Sequence, residues 1–402
     1  MKPTLPRGLR QVHGLQDFEP LAARRLPRFL REYIAGGAQD GLSLRANRAA
    51  FERVVFEPRV LVDTTVRHAR VHTLGQAWEA PFGIAPMGGM GLAARDADRA
   101  MARAAAAARI PFVLSGASLV PMADVLRDNE HAWFQAYLDA APAEQLALVR
   151  RVAACGFRTL VVTVDVPVGG HREADLRNGY RSPLRPSLRL LADALARPRW
   201  LLGTLLGPML REGMPHFENF GSQRQPALAW RGARIHRRDG LDWVALERVR
   251  AAWPHRLVLK GVLAPEDAAL ARRVGVDGLV VSNHGGRQLD GAIAPLDALP
   301  AVRAAAGPLE VLLDSGVRRG GDVLKALALG AGHVLLGRPF LWAAVVGGQA
   351  GVAHAIDLLR SEILRDMALL GCVDLAVLPQ RTLRDGIRVH PGAASAAAPE
   401  SS

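Results

Sequence analysis

The amino-acid sequence predicts an α/β fold, a (β/α)8 TIM barrel, with an N-terminal helical cover and a long insertion after the fourth strand. From about residue 80 onward, the chain contains eight short apolar runs of the kind that form buried parallel strands. Segments rich in Ala and Leu, with helical spacing of their apolar residues, separate most of these runs. Polar side chains follow nearly every run, as at the carboxyl face of a barrel. Eight such units favour a closed barrel over an open sheet, a choice that the length of 402 residues leaves open.

The order of these runs sets the predicted boundaries. Residues 1–79 form the cover, because residues 9–37 have helical apolar spacing and end on glycines. The barrel occupies residues 80–380. Its strands are predicted at 82–85, 111–115, 133–138, 159–165, 256–260, 278–283, 310–314 and 333–337. Residues 381–402 form a tail, partly disordered, because its end, GAASAAAPESS, has too few large apolar residues to fold.

Roughly 75 residues separate the fourth and fifth strands, far more than an ordinary βα loop contains. This insertion, at about 166–240, is expected at the mouth of the barrel. Within it, residues 188–213 mix Leu and Trp with Arg and have little acidic balance, as an interfacial helix pair does. A lid packed on the barrel would use the same amphipathic pattern, so both interpretations stay open.

Composition excludes several classes of protein. Half of the residues are hydrophobic, which is typical of a globular chain. The net charge of +13 comes from scattered arginines without a nucleic-acid-binding motif, so we expect acidic substrates or an anionic membrane surface and no nucleic acid. Cys155 and Cys372 lack metal-ligand spacing and are expected to be packing residues, with no metal site. No segment of about 18 uncharged apolar residues was expected to span a bilayer, which predicts a cytoplasmic protein, free or peripheral on the inner face of the membrane.

The strongest local signal is the run VVSNHGGRQLD at residues 280–290. A histidine, two glycines and an arginine follow a buried strand there without any hydrophobic reason for their presence. His284 has the side-chain type whose ordinary pKa lies near neutrality, so it is the candidate catalytic base. Other polar residues at predicted strand ends are expected to converge on the same face. They are Gln135, Tyr137, Thr163, Asp165, Lys260, Asp314 and Arg338.

Two glycine- and arginine-containing loops follow the last two predicted strands. DSGVRRGGDV occupies residues 314–323, and GRPF occupies residues 337–340. Glycine amides and helix N-termini after strands seven and eight form the usual phosphate site of a barrel. Gly316 and Gly337 are expected to permit close approach of the backbone, and Arg318 and Arg338 to add charged hydrogen bonds.

These motifs together resemble the FMN-dependent 2-hydroxy-acid dehydrogenases and oxidases, which include bacterial membrane-associated L-lactate dehydrogenase, mandelate dehydrogenase and glycolate oxidase. The likeness runs from about Phe18 to Leu378. The most specific motif is SNHGGRQLD. The others, in chain order, are REYIAGGAQD, FQAYL, VTVDVPVGGHREAD, LVLKGVLAPEDA and DSGVRRGGDVLKALALGAGHVLLGRP.

The resemblance implies a role for each candidate residue toward the substrate. His284 would take the proton of the 2-hydroxyl while the C2 hydrogen leaves as a hydride equivalent to flavin N5, and Asp165 would stabilise the imidazolium. Arg172 and Arg287 would clamp the substrate carboxylate through bidentate hydrogen bonds. Tyr33 and Tyr137 would hold the carboxylate and the C2 oxygen.

The resemblance also implies which residues bind FMN. Lys260 would lie beside flavin N1 and O2, where a buried cation without an anion would be costly. The ring would contact Ser115, Gln135 and Thr163, the ribityl chain Asp314, and the region near N5 the residues Pro86, Met87 and Gly88. The phosphate would lie at Gly316, Arg318, Gly337 and Arg338.

Two departures concern the region over the flavin. This chain has Gly88 where glycolate oxidase has alanine, and Ala117 where that enzyme has tryptophan, so both changes enlarge the pocket. Gly88 recurs in members that reduce quinone or cytochrome, which favours a dehydrogenase for an L-lactate-type or L-mandelate-type acid with a quinone or another carrier as electron acceptor. The alternative is an oxygen-using oxidase that produces hydrogen peroxide. A non-enzymatic phosphate-binding barrel would need neither His284 nor Arg287. The resemblance implies a homotetramer.

Overall fold

The computed structural model describes residues 6–221, 224–228, 238–384 and 387–388. The predicted tail lies outside these residues, apart from the strands Thr382–Arg384 and Ile387–Arg388. Residues 222–223 and 229–237 of the predicted insertion also lie outside the described part of the chain.

Eight parallel strands form the centre of the protein, and each coincides with one of the predicted runs. They are β1 (Phe82–Ile84), β2 (Val113–Ser115), β3 (Trp133–Ala136), β4 (Thr159–Thr163), β5 (Arg256–Val262), β6 (Gly278–Val281), β7 (Glu310–Leu313) and β8 (His333–Leu336). Each strand pairs with its neighbour in sequence, and β8 pairs with β1. A parallel bridge between Ile84 and Phe112 joins β1 to β2 and closes the ring. The predicted (β/α)8 barrel is therefore confirmed.

Helices follow most of the strands, and others belong to the N-terminal cover and to the insertion. In chain order they are α1 (Phe18–Ala23), α2 (Arg28–Ala35), α3 (Leu42–Glu52), α4 (Ala97–Ala108), α5 (Met122–Asp128), α6 (Pro142–Cys155), α7 (Glu173–Asn178), α8 (Leu188–Leu195), α9 (Pro198–Trp200), α10 (Gly207–Glu212), α11 (Trp243–Ala252), α12 (Pro265–Val274), α13 (Pro295–Ala306), α14 (Gly320–Ala328) and α15 (Arg338–Leu369). Short 3-10 turns occur at Arg7–Leu9, Leu15–Asp17, Met90–Leu92 and Leu375–Arg381. Helices α6, α12 and α13 each have proline in the first turn. Backbone N–H groups in the first turn have no acceptor within the helix, so proline, which lacks an N–H, is tolerated there.

The N-terminal cover is helical only as far as Glu52. The strand Val54–Phe56 follows and pairs antiparallel with Thr382–Arg384, so the N-terminal cover contacts the segment that follows the barrel. A hairpin, Val71–Thr73 with Gln76–Trp78, comes next. These strands have three residues each, which is too short for an alternating apolar pattern to be recognised in the sequence. The prediction of a helical cover therefore missed them.

The amino end of the barrel is filled by apolar side chains. Inward-facing residues such as Val161 and Val258 form a cluster that includes Leu74 and Trp78 of the hairpin. The rings of Trp78 and Trp133 meet at 6.3 Å, edge to face. Because the hairpin closes this end, a ligand can reach the barrel only from the carboxyl ends of the strands. Of the two cysteines, Cys372 is buried in the larger core between strands and helices, and Cys155 packs against that core half-buried, as expected for packing residues.

The segment between β4 and β5 contains the predicted helix pair. Helix α8 is followed by a continuous helical stretch, α9, a π-helical turn (Leu201–Leu206) and α10. The carboxylate of Asp193 on α8 accepts the backbone N–H groups of Arg28 and Phe29, both at 2.9 Å. The insertion therefore packs on the start of α2 in the N-terminal cover.

Helix α15 corrects one prediction. Its length and composition would allow it to cross a membrane, although no such segment was expected from the sequence. The helix follows β8, and 61% of its most apolar window is buried inside the protein. A non-helical Gly348 (φ 54°) interrupts it. Helix α15 therefore serves the barrel as a core helix, and its apolar character comes from packing on both sides.

Candidate active site

A cavity of about 530 Å³ opens at the carboxyl ends of the strands. Most of the predicted site residues line it. These are Tyr33, Pro86, Met87, Gly88, Tyr137, Arg172, Lys260, His284, Arg287, Asp314, Gly316, Arg318, Gly337 and Arg338. The remaining predicted residues, Ser115, Gln135, Thr163 and Asp165, lie directly behind this lining at the ends of β2, β3 and β4. These residues are spread over more than 300 positions of the sequence, from Tyr33 to Arg338. The structure brings them together, as the convergence of parallel strand ends predicts.

His284 and Asp165 form a hydrogen-bonded pair at this face. The Nδ1 atom of His284 lies 3.0 Å from Oδ1 of Asp165, and the two side chains are 22% and 11% exposed. Burial alone would raise the pKa of Asp165, but the neighbouring His284 and Lys260 outweigh burial and hold that pKa below its usual range. Asp165 is therefore an anion at neutral pH, and it leaves Nε2 of His284 as the ring nitrogen available to a ligand.

The backbone around this pair is specialised. His284 has a left-handed conformation (φ 58°), and its N–H donates to Oγ of Ser282 at 3.0 Å. Gly261, also at positive φ (111°), follows Lys260 where the pairing of β5 with β6 shifts register. A Cβ atom at Gly261 would come within 2.5 Å of the Asp165 side chain. A bulge with glycine at this position therefore makes room for the side chain of Asp165.

Lys260 is buried, and its charge is balanced by the protein. Its Nζ lies 3.0 Å from Oδ2 of Asp314 and donates to Oγ of Ser282 at 2.9 Å. Burial would lower the pKa of Lys260, but Asp314 and Asp165 outweigh it and raise that pKa above its usual value. A buried Lys260 needs an anion nearby, and the Asp314 ion pair shows that the chain supplies one itself. Lys260 still lines the cavity as a fixed cation.

Within the described part of the chain, two buried polar groups below the cavity have no hydrogen-bond partner. Oγ of Ser115 donates to Oε1 of Gln135 at 3.0 Å, which leaves the buried Nε2 of Gln135 without an acceptor. The buried hydroxyl of Thr163, paired in register with Lys260, is also without a partner. Buried polar groups are nearly always hydrogen-bonded in a native state, so these atoms indicate a bound ligand with a polar edge. The pyrimidine edge of an isoalloxazine ring fits this set of donors.

The opposite end of the cavity is cationic. Among the described residues, the guanidinium of Arg318 donates only to the carbonyl of Val317, at 2.8 Å, and forms no ion pair, while its backbone N–H donates to Oδ2 of Asp322. Burial, with a contribution from Arg48, lowers the pKa of Arg318. Burial and the neighbouring Arg287 and Arg318 likewise lower the pKa of Arg338 to about 9. Cations held in this way favour an anionic ligand, and they lie beside Gly337 at the start of α15.

Arg338 has a second task that the sequence did not indicate. Its guanidinium donates to the carbonyls of Ile34 (2.8 Å), Gly36 (2.8 Å) and Gly285 (3.2 Å). Arg338 therefore connects the N-terminal cover to the loop that carries His284. Because its N–H groups bond these carbonyls, Arg338 has fewer free donors for a phosphate than Arg318 has.

The N-terminal cover contributes an aromatic and cationic wall. The guanidinium carbon of Arg287 lies 4.7 Å from the centre of the Tyr33 ring, and that of Arg172 lies 5.7 Å from it. Arg287 also donates to the carbonyls of Tyr33 and Gly36 at 2.6 and 3.0 Å, and Arg172 to Asp175 at 2.9 Å. The structure thus places two guanidinium groups against one tyrosine ring in the cavity wall, and a planar guanidinium is suited to bidentate binding of a carboxylate.

The loop after β1 passes close to the loop after β2. A Cβ atom on Gly88 would lie 2.9 Å from Cβ of Ala117. The two small residues that depart from the glycolate oxidase pattern therefore contact one another, and together they form one part of the lining beside Pro86 and Met87.

Several lining residues were not predicted as functional. The third tyrosine of the chain, Tyr180, stacks on Tyr33 with 4.0 Å between ring centres. The insertion contributes Phe217, Phe220 and Arg238. Their participation could not be found from spacing, because the path of a long insertion is not encoded in any periodic pattern. Asn47 was also missed, and its amide bonds reciprocally with that of Asn283 at 2.8 and 2.7 Å, between α3 and the His284 loop.

Comparisons with known proteins agree with this geometry. A sequence model of the family described as FMN-dependent dehydrogenase matches residues 22–385. The chain is 39% identical to (S)-mandelate dehydrogenase of Pseudomonas putida, over 94% of this chain and 95% of the relative. It is 42% identical to L-lactate oxidase of Nostoc sp., over 90% of this chain and 95% of the relative. A crystal structure described as monotopic membrane protein (S)-mandelate dehydrogenase superposes with a TM-score of 0.85 at 37% identity, covering 93% of this chain and 100% of that one.

Proposed function

The chain belongs to the FMN-dependent dehydrogenase family, and from that premise we propose that it oxidises a small L-2-hydroxy acid of the L-lactate or L-mandelate type to the 2-keto acid. Its relatives are dehydrogenases and oxidases of lactate and mandelate, so the chain is an FMN-dependent 2-hydroxy-acid oxidoreductase. The observation that carries the finer proposal is the His284–Asp165 pair, 3.0 Å apart, in a cavity also lined by Arg287.

The unpartnered groups below the cavity support a specific way of holding FMN. Gln135 and Thr163, with Ser115, would bond the ring edge, and Lys260 would lie beside it as a fixed cation. Asp314 would hold Lys260 in place as well as meeting the ribityl chain. The phosphate would lie on the Gly316–Arg318 loop and at Gly337 and Arg338, while Pro86, Met87 and Gly88 border the ring. When bound, FMN supplies the acceptor for the two electrons and the C2 hydrogen of the substrate.

The proton of the substrate hydroxyl would go to Nε2 of His284. Asp165 holds the other ring nitrogen at 3.0 Å, which fixes the tautomer with a proton on Nδ1 and leaves Nε2 with a lone pair. Once His284 has taken the proton, the anionic Asp165 stabilises the resulting imidazolium. General-base assistance of this kind contributes about 100- to 10,000-fold to a rate.

Arg172 and Arg287 would bind the C1 carboxylate from two sides. Both guanidinium groups lie against the ring of Tyr33, whose hydroxyl would donate a further hydrogen bond. Tyr137, half-buried on the opposite wall, would meet the C2 oxygen. Burial and the nearby Asp165 raise the pKa of Tyr137, so its hydroxyl stays protonated and acts as a donor.

The proposed electron acceptor is a membrane quinone or another carrier. The Gly88–Ala117 contact supports this acceptor. These two small residues leave open a region of the pocket that larger residues cover in glycolate oxidase. The L-lactate oxidase of Nostoc sp. supports the alternative, oxygen, at 42% identity. Hydrogen peroxide formed in equal amount to the keto acid would identify an oxidase, and reduction of a soluble quinone analogue without peroxide would identify a dehydrogenase.

The insertion supports contact with the surface of a membrane. Its helices expose several leucines, including Leu188 and Leu210, each 87% exposed, and Leu202 at 62%. Arginines such as Arg189 and Arg211 accompany them, as on an interfacial helix. We expect Leu210→Asp to weaken sedimentation with vesicles that contain anionic lipid, while the matched control Leu369→Asp, on α15, leaves it unchanged. Equal binding by both variants would contradict the assignment.

A homotetramer remains a prediction that sedimentation velocity can test.

The substrate proposal is tested by anaerobic mixing of the FMN-loaded protein with L-lactate, L-mandelate and glycolate, followed by the flavin absorbance. Bleaching by an L-2-hydroxy acid, and its absence with the D-enantiomer, is the expected result. A flavin that no L-2-hydroxy acid reduces, in a protein with a full complement of FMN, would contradict the proposed function.

A further inference from the structure

Arg238 lines the cavity beside Tyr137 and belongs to neither the flavin-binding nor the carboxylate-binding set. Its guanidinium carbon lies 4.5 Å from the centre of the Tyr137 ring and 5.1 Å from that of Phe220. Those rings tilt toward one another with centres 6.1 Å apart. The arginine is thus held by aromatic faces at a defined place in the cavity wall.

No carboxylate among the described residues pairs with the guanidinium of Arg238. Within the described residues, Arg238 forms no ion pair and donates no hydrogen bond, and its buried Nε has no acceptor. Asp139 attracts it electrostatically without pairing. The arginines on the other wall differ in this respect, because Arg172 pairs with Asp175 and Arg287 bonds two carbonyls. A guanidinium offers five donors, and a half-buried one without an acceptor is costly unless a ligand supplies an anion.

Tyr137 connects this cation to the reacting centre. The groups that act electrostatically on the Tyr137 hydroxyl include Asp165 and Lys260 of the catalytic end, Tyr33 of the carboxylate site, and Arg238. A substrate that presents its C1 carboxylate to Arg287 and Tyr33, and its hydroxyl to His284, can therefore extend its side chain past Tyr137 toward Arg238.

We propose that Arg238 is a second anion subsite and that the preferred substrate is an L-2-hydroxy acid whose side chain ends in a carboxylate. This inference rests on the proposed function, since it names the substrate class of the same site. The reaction is unchanged: the C2–H bond breaks, two electrons and the hydrogen pass to FMN, the hydroxyl proton passes to His284, and the product is a 2-keto diacid. A charged side chain gains a charge-assisted hydrogen bond that a methyl group cannot make.

The test compares substrates with equal carbon count. We expect kcat/KM for L-malate or L-2-hydroxyglutarate to exceed that for L-2-hydroxybutyrate or L-2-hydroxyvalerate by about 10- to 100-fold. In Arg238→Met the diacid to monoacid ratio should fall by the same factor, and Arg238→Lys should retain part of it. Arg185→Met, a change of an exposed arginine in the same insertion, should leave the ratio as in the wild type.

A binding measurement supports the kinetics if Arg238→Met folds poorly. Titration of the oxidised wild-type holoenzyme with 2-ketoglutarate and with 2-ketovalerate, followed by the flavin spectrum, should give a smaller Kd for the diacid at low salt. The difference should shrink as salt screens the charge.

The outcomes separate the two proposals. Reduction by monoacids, with no preference for diacids in the wild type, would overturn the second subsite and leave the proposed function intact. A preference for diacids that Arg238→Met retains would also overturn it, as would a preference for mandelate that this variant leaves in place. If no hydroxy acid of either class reduces the flavin, the proposed function itself fails.

Discussion

Replacing Asp165 by Asn tests the electrostatic part of the proposed mechanism. The side chains differ by one heavy atom of similar size, so the cavity is preserved while the carboxylate charge next to His284 is removed. A charge-assisted hydrogen bond contributes at least about 1.5 kcal/mol. The attraction between two unit charges about 4 Å apart is about 4 kcal/mol near a protein surface, and we take this as the upper bound. The nearest atoms of His284 and Asp165 are 3.0 Å apart, and their charges are spread over larger groups. We therefore expect the rate constant for anaerobic flavin reduction to fall between about 10-fold and 1000-fold.

Stopped-flow absorbance measures this rate constant as a function of substrate concentration. The loss should occur in the limiting rate constant, because Asp165 stabilises the imidazolium that forms only as the proton moves, and the substrate Kd should change little. Asp267→Asn on α12 is the matched control, a half-buried carboxylate far from the cavity. An Asp165→Asn protein that retains its FMN and reduces it within about threefold of the wild-type rate would refute the reasoning.

Three further changes test the structure around the site. Gly316→Ala places a methyl group at φ 90° and 2.5 Å from the carbonyl oxygen of Asn47, so it should lower the free energy of unfolding by about 2–5 kcal/mol, whereas Gly275→Ala, at φ 80° with open space around it, should cost only about 1–2 kcal/mol. Burial raises the pKa of Asp98 to about 7, so the native state holds a proton that the unfolded chain releases above about 4. Stability should therefore fall as the pH rises from about 4 to about 7, and Asp98→Asn should be the more stable protein in urea at pH 8, by up to about 4 kcal/mol, but not at pH 4. Lys260→Met leaves Asp314 unpaired and should cost about 3–5 kcal/mol, part of which Lys260→Met with Asp314→Asn recovers; a double variant as unstable as the single one would exclude the ion pair as the cause.

The barrel could be predicted because each of its strands is a short apolar run with its own boundaries. Strands such as Leu160 to Val162 are buried on both faces, and this gives a continuous apolar signal that does not depend on any partner. The convergence of Asp165, Lys260 and His284 then follows from the rule that parallel strands end at one face. Residue chemistry and strand order were sufficient for this part of the site.

Contacts between distant segments could not be predicted in the same way. The Lys260–Asp314 ion pair joins β5 to the end of β7, with β6 between them, and no sequence spacing encodes it. The use of Arg338 as a tie to Ile34 and Gly285 depends on where the N-terminal cover lies. The hairpin at the amino end was missed because its strands contain three residues each, too few to show a period.

One part of the insertion could be predicted from the sequence, and another part could not. Its helix pair could be recognised because leucines recur at helical spacing, as in α8. Arg238 could not be recognised as a cavity residue, because its position depends on a chain path of roughly 75 residues between two strands. The residues with the least periodic signal are the ones that form the side-chain end of the proposed substrate pocket.

The central claim is that His284 accepts the hydroxyl proton of an L-2-hydroxy acid. The most direct measurement is the rate of anaerobic flavin bleaching in His284→Gln, with FMN content determined on the same sample. We predict a yellow protein with a full complement of FMN and a reduction rate at least about 100-fold below that of the wild type. Bleaching of the bound flavin at the wild-type rate would contradict the account.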